Sequence, residues 1–86
     1  MYNVHYEHIA IEATNEVLNT EINTSNCTSL DIINNSNDIV IVFDNYPLHP
    51  GEKLELHNRP EEYITAPIPV VIPANGLLNI IKTFYL

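Results

Sequence analysis

Few residues in this 86-residue chain carry catalytic or metal-binding chemistry, so each can be weighed by its spacing. His5 and His8 form an H-x-x-H pair. On a strand, positions three apart point to opposite faces and cannot share an ion; on a helix they are neighbours, but no third ligand stands nearby. His57 is followed by Arg59, Glu61 and Glu62. Paired carboxylates do acid–base work when their surroundings separate their pKa values, whereas Asn58-Arg59-Pro60-Glu61-Glu62 reads as a solvated connection. A hydrolase or metal site would need His57, Glu61 and Glu62 to converge, with His49 as a further member. Cys27 is the single cysteine, with no base beside it, and reads as a buried or inert thiol. Gly51 and Gly76 are both accounted for by turns, which leaves no phosphate-binding loop. The expectation is a non-enzymatic chain with no catalytic residue, no cofactor and no metal.

Candidate partner contacts are Tyr46, Pro47 and Leu48, in the longest loop of the sharply patterned part of the chain. An exposed aromatic there anchors an interface or stacks on a sugar. Alternatively Tyr46 and Leu48 plug the end of the domain, with Leu48 as a loop anchor between two prolines. The net charge of −8 limits the partners further. The only cations are Lys53, Arg59 and Lys82, which do not cluster. Phosphate recognition needs several cations on one face, so direct nucleic-acid binding and attraction to an anionic membrane are not expected. The longest apolar run, residues 39–43, is far too short to span a bilayer. The N-terminus has neither the basic nor the apolar region of a secretion signal, and the start Met with the apolar final segment reads as an intact chain. Asn23, Asn26 and Asn34 head glycosylation sequons, but with 12 asparagines chance accounts for them.

The elements that would position these residues are strands. Ile9, Ile11 and Ala13 alternate with Ala10 and Glu12 at strand period. A helix over residues 7–22 is the alternative, disfavoured by β-branched residues and by Asn and Thr. Residues 15–29 are polar, with the composition of a loop plus one short strand, and residues 1–29 together suit an arm that orders on docking. Strands are expected at 30–33, 39–43 and 52–57, with Leu54 and Leu56 facing in. An Asn-rich turn at 34–37 and a type II turn on Pro50-Gly51 separate them. Pro67, Pro69 and Pro73 share one parity, opposite to Ile64, Ala66, Ile68, Val70 and Ile72. Together with a type I′ hairpin signal at Asn75-Gly76, this predicts that 64–72 is a proline-blunted edge strand paired to an inner strand at 77–86. The whole is expected to be one all-β domain over residues 1–86, a small antiparallel β-sandwich of six or seven short strands.

The order Asp31-Ile-Ile-Asn34-Asn35-Ser36, then Ile39-Val-Ile-Val-Phe43, then Pro47-Leu48-His49-Pro50-Gly51-Glu52 carries a resemblance. With the Pro60-Glu61-Glu62 connection and the closing Ile80-Ile81-Lys82-Thr83-Phe84-Tyr85-Leu86, it resembles small β-sandwich virion proteins of tailed phages, notably crAss-like phages of gut Bacteroides. The likeness covers about two thirds of the chain and nothing before residue 30. It implies an auxiliary or decoration protein on the capsid exterior, bound in multiple copies to the major capsid protein and neighbouring virion proteins, or a related head-fibre or tail-associated adaptor. It implies no catalytic residues. The alternative from another class is a carbohydrate-recognition or adhesin-like sandwich, which would require two exposed aromatics on one surface.

Overall fold

A computed structural model describes residues 3–59 and 62–85. It contains β1 (Val4–Glu12), β2 (Leu18–Ile22), β3 (Ser29–Asn34), β4 (Val40–Val42), β5 (Tyr46–Leu48), β6 (Lys53–His57), β7 (Ile68–Ile72) and β8 (Leu77–Tyr85). The strands form two four-stranded sheets, in the orders β1-β8-β3-β6 and β2-β7-β4-β5, and every pairing between strands is antiparallel. The expected all-β sandwich is therefore the fold, with eight strands rather than six or seven. Among the connections between the described strands, only β4 to β5 stays within a sheet; every other one crosses over. This is the strand order of a jelly roll. Of the N-terminal third read above as a polar arm, residues 4–12 lie along β8 and residues 18–22 along β7.

Alternation builds the core. Leu30 and Ile32 on β3 and Leu78 and Ile80 on β8 meet Ile22, Val40, Val42, Leu48, Ile68, Val70 and Ile72 from the other sheet, all nearly inaccessible to solvent. Period-two side chains place one face of each strand in this layer and the other in water. On β6 this gives the expected pattern, with Leu54 and Leu56 half-buried between exposed Lys53, Glu55 and His57.

The expected β7–β8 hairpin is not formed. β7 lies inside one sheet, between β2 and β4, while β8 lies inside the other, between β1 and β3. Asn75-Gly76 turns the chain between sheets instead. The Gly76 N–H donates to the Pro73 carbonyl (2.9 Å), which puts Ala74 and Asn75 at the centre of the turn, and Asn75 takes the positive φ of 59°. Asparagine tolerates that conformation. Gly76 serves a different need: an added Cβ would lie 2.7 Å from the Pro73 carbonyl oxygen and 2.7 Å from Ser36 Oγ. The prolines do share one side of β7, but that side faces β4, because Phe43 N–H donates to the Pro69 carbonyl (3.0 Å). β4 leaves the ladder at Val42, just where Pro69 has no donor to offer. The prolines therefore limit how far β4 can pair, and do not blunt an outer edge.

The crossings β1–β2, β3–β4, β5–β6 and β7–β8 converge at one end of the sandwich. Asn34, wholly buried, joins two of them. Its Nδ2 donates to the carbonyls of Asp38 (2.9 Å) and Leu48 (2.8 Å), and its Oδ1 accepts from Ser36 N–H (2.8 Å). Its backbone N–H donates to the Glu52 carbonyl (3.0 Å), and its carbonyl accepts from Gly51 N–H (2.8 Å). That second crossing makes the expected turn on Pro50-Gly51, with Gly51 at φ 81° and Glu52 N–H donating to the His49 carbonyl (3.0 Å). Ser36 Oγ accepts from Leu77 N–H (2.8 Å), and the Ala13 and Asn75 N–H groups donate to the carbonyls of Gly76 (3.0 Å) and Thr14 (2.6 Å). Burial thus makes Asn34 a structural residue and not a glycan acceptor. Asn34→Ala should lower unfolding stability by about 3 kcal/mol in urea, because buried backbone groups lose their partners. Gly76→Ala should cost about 2 kcal/mol through steric overlap, and Gly51→Ala about 1 kcal/mol through its left-handed φ alone.

Candidate functional site

The outward face of β3 and β6 gathers the densest polar chemistry among the described residues. Cross-strand register sets Asp31 opposite Glu55, Ile33 opposite Lys53 and Ser29 opposite His57. His57 Nε2 lies 3.1 Å from Asp31 Oδ1 and 3.8 Å from Glu55 Oε2, and Lys53 Nζ lies 3.0 Å from Glu55 Oε1. One ligand atom from each of Asp31, Glu55 and His57 falls within 4.8 Å of the other two. The set is open to water, with the His57 side chain 54% exposed and that of Glu55 47%. Lys53 occupies one carboxylate oxygen and opposes a cation there.

Ser29, His57 and Asp31 share the residue types of a hydrolytic triad. In a triad the histidine is bonded to the hydroxyl through one ring nitrogen and to the carboxylate through the other. Here no hydrogen bond joins Ser29 to His57 among the described residues, and the three lie on an open sheet. The sequence showed Lys53, Glu55 and His57 facing outward; it did not show Asp31 beside them, since that follows from the pairing of β3 with β6. Of the expected neighbours of His57, Glu62 approaches Arg59 (3.9 Å), and Glu61 lies outside the described residues.

The remaining histidines do not converge. His5 packs against the Phe84 ring at 5.9 Å between centroids, while His8, on the opposite face of β1, lines a groove of about 320 Å³ with Ala10, Ile33, Asn35, Asn79 and Ile81. Asn35 Nδ2 donates to Asn79 Oδ1, joining two residues that line the groove. His49 is exposed, and its backbone N–H donates to Glu52 Oε1 (2.7 Å). Cys27 is fully buried, and its backbone is bridged to Ile64. Burial pushes its thiol upward in pKa, more than the nearby Lys82 charge pulls it down. Lys82 is itself 3% exposed and donates to Ser25 Oγ (3.1 Å).

Tyr46, Pro47 and Leu48 form edge strand β5 rather than a loop. The Leu48 side chain belongs to the core, at 1% exposure, so Tyr46 and Pro47 are the members that face solvent. No protein-family model matches the chain, and neither a curated protein nor a solved structure matches it.

The Glu55 carboxyl is held below its ordinary value of 4.5 by the hydrogen bond and charge of Lys53. A depressed folded pKa stabilises above the unfolded value and is lost as pH falls through the folded one, so the contribution of this pair disappears on the acid side of 4.5. Lys53→Gln should move the Glu55 titration midpoint up toward 4.5 by carboxyl NMR; an unmoved midpoint contradicts the pairing. Native Cys27 should resist a disulfide exchange reagent at neutral pH and react promptly in denaturant.

Proposed function

We propose that this chain is a non-catalytic virion component, an auxiliary capsid protein of a tailed phage that docks in many copies on the exterior of the major capsid lattice. The jelly-roll order suits this role, since it recurs in viral capsid domains. It also recurs in lectins and in metal-binding cupins, so topology alone does not choose among them. The observation that carries the choice is where the chemistry lies. His5, His8, His49 and His57 are all exposed, while the core between the sheets is made of Ile, Leu and Val with the single thiol of Cys27. An interior metal enzyme needs the reverse arrangement. The acidic exterior keeps particles soluble and mutually repelling, and symmetry multiplies modest contacts. The resemblance of residues 31 to 86 to phage decoration proteins supplies the capsid as the partner.

A sugar-binding module has less support. Among the described residues the most exposed tyrosines, Tyr6, Tyr46 and Tyr63, lie on β1, on β5 and in the connection before β7, and so do not form one platform. Mass spectrometry of purified phage particles should find this chain at a high, fixed ratio to the major capsid protein. A copy number of about a dozen or fewer would move it to a head-fibre, portal or tail position. Absence from particles would refute the virion reading.

A further inference from the structure

The sandwich has four edges, and hydrogen-bond parity shows what each presents. In an antiparallel ladder, residues alternate between those bonded to the neighbour and those whose N–H and C=O point away. Phe43 N–H bonds to the Pro69 carbonyl, which assigns odd residues of β7 and β4 to each other and even ones to the outer strands β2 and β5. The outward residues are then Asn19 and Glu21 on β2, and on β5 only Pro47, which has no donor. Asn34 N–H bonds to the Glu52 carbonyl, so β6 turns Lys53, Glu55 and His57 outward, all charged or ion-paired.

β1 differs from the other three. Ala13 N–H bonds to the Gly76 carbonyl in the same register as the β1–β8 ladder, so odd residues of β1 bond to β8. Val4, Tyr6, His8, Ala10 and Glu12 consequently direct their backbone groups at open solvent. This edge is a nine-residue strand with no proline and no lysine, the devices that normally protect an edge. Its exposed formal charges, Glu7 and Glu12, are both acidic; Lys82, buried, stands across from Glu7 in the β1–β8 register, while Lys53 and Arg59 lie on or just after β6, at the far edge of the same sheet.

From this we infer that β1 is a docking edge that accepts an extended, lysine- or arginine-rich segment of a partner protein as a fifth strand of its sheet. The inference rests on the docking reading above and names the surface and the partner's chemistry. Backbone pairing supplies the bonds, and cations on the outer face of the added strand meet Glu12, while Glu7, on the other face, already stands opposite Lys82. A second copy of this chain fits poorly, since pairing would join two bodies of net charge −8.

The test uses a fluorescent nonapeptide of alternating Lys and Val and a Glu/Val counterpart. Wild type should bind the basic peptide, and the amides of Tyr6, His8 and Ala10 should gain hydrogen-exchange protection. His8→Pro removes one outward donor and none of the β1–β8 bonds, so it should keep the wild-type melting curve and bind at least about tenfold more weakly. Ala10→Lys, which places a repelling cation at the same edge, gives the same result by a route that leaves the backbone intact. Three outcomes overturn the proposal: equal binding of the acidic peptide, binding undiminished in both variants, or a wild-type dimer joined through β1. None of them alters the particle stoichiometry, so failure of this edge is distinguishable from failure of the docking reading.

Discussion

The Asn34 carboxamide is the group on which the arrangement of the sheets most depends. A jelly roll sends its chain from sheet to sheet at nearly every connection, and each crossing takes backbone groups out of the ladders. Those groups must find partners, because an unmet polar group in the interior costs about 1–3 kcal/mol. Asn34 serves the β3–β4 crossing and the end of β5 with its side chain, and the β5–β6 turn with its backbone. Ser36, bonded to Asn34 at one end and Leu77 at the other, extends the network to the β7–β8 crossing. With no buried side-chain nitrogen or oxygen left unpaired among the described residues, this network lets a chain without disulfides hold two short sheets face to face.

Much of this was legible in the residues. Period-two alternation marked β6 and β7, and Pro50-Gly51 marked its turn, because these are local signals with local causes. What could not be read locally was pairing. Asn75-Gly76 is as suitable for a turn between sheets as for a hairpin, and only the pull of Thr14 and Ser36 on this corner decides between them. The same-side prolines were real, but their side belonged to β4. The blunted edge is Pro47 on β5, which parity alone could not reveal without knowing that β5 is a strand. The Asp31, Glu55 and His57 set escaped notice for the same reason, since its members come together only through the β3–β6 register.

These facts bear on function through what the fold leaves open. Its core is largely hydrocarbon, its histidines lie on exposed surface, and its one thiol and Lys82 are buried. Three of its edges are short, lined by ion pairs or closed by proline, and the β1 edge is long and has neither proline nor lysine. On the docking reading proposed above, the long edge is where another chain joins, and the acidity of this chain sets the sign of the partner's surface.

Hydrogen exchange of the chain, measured free and on assembled particles, tests this account most directly. The account predicts new protection at the outward amides of Tyr6, His8 and Ala10 on assembly, with β2, β5 and β6 little changed. Unchanged exchange along β1, with protection gained at the β6 or β5 edge instead, would contradict it.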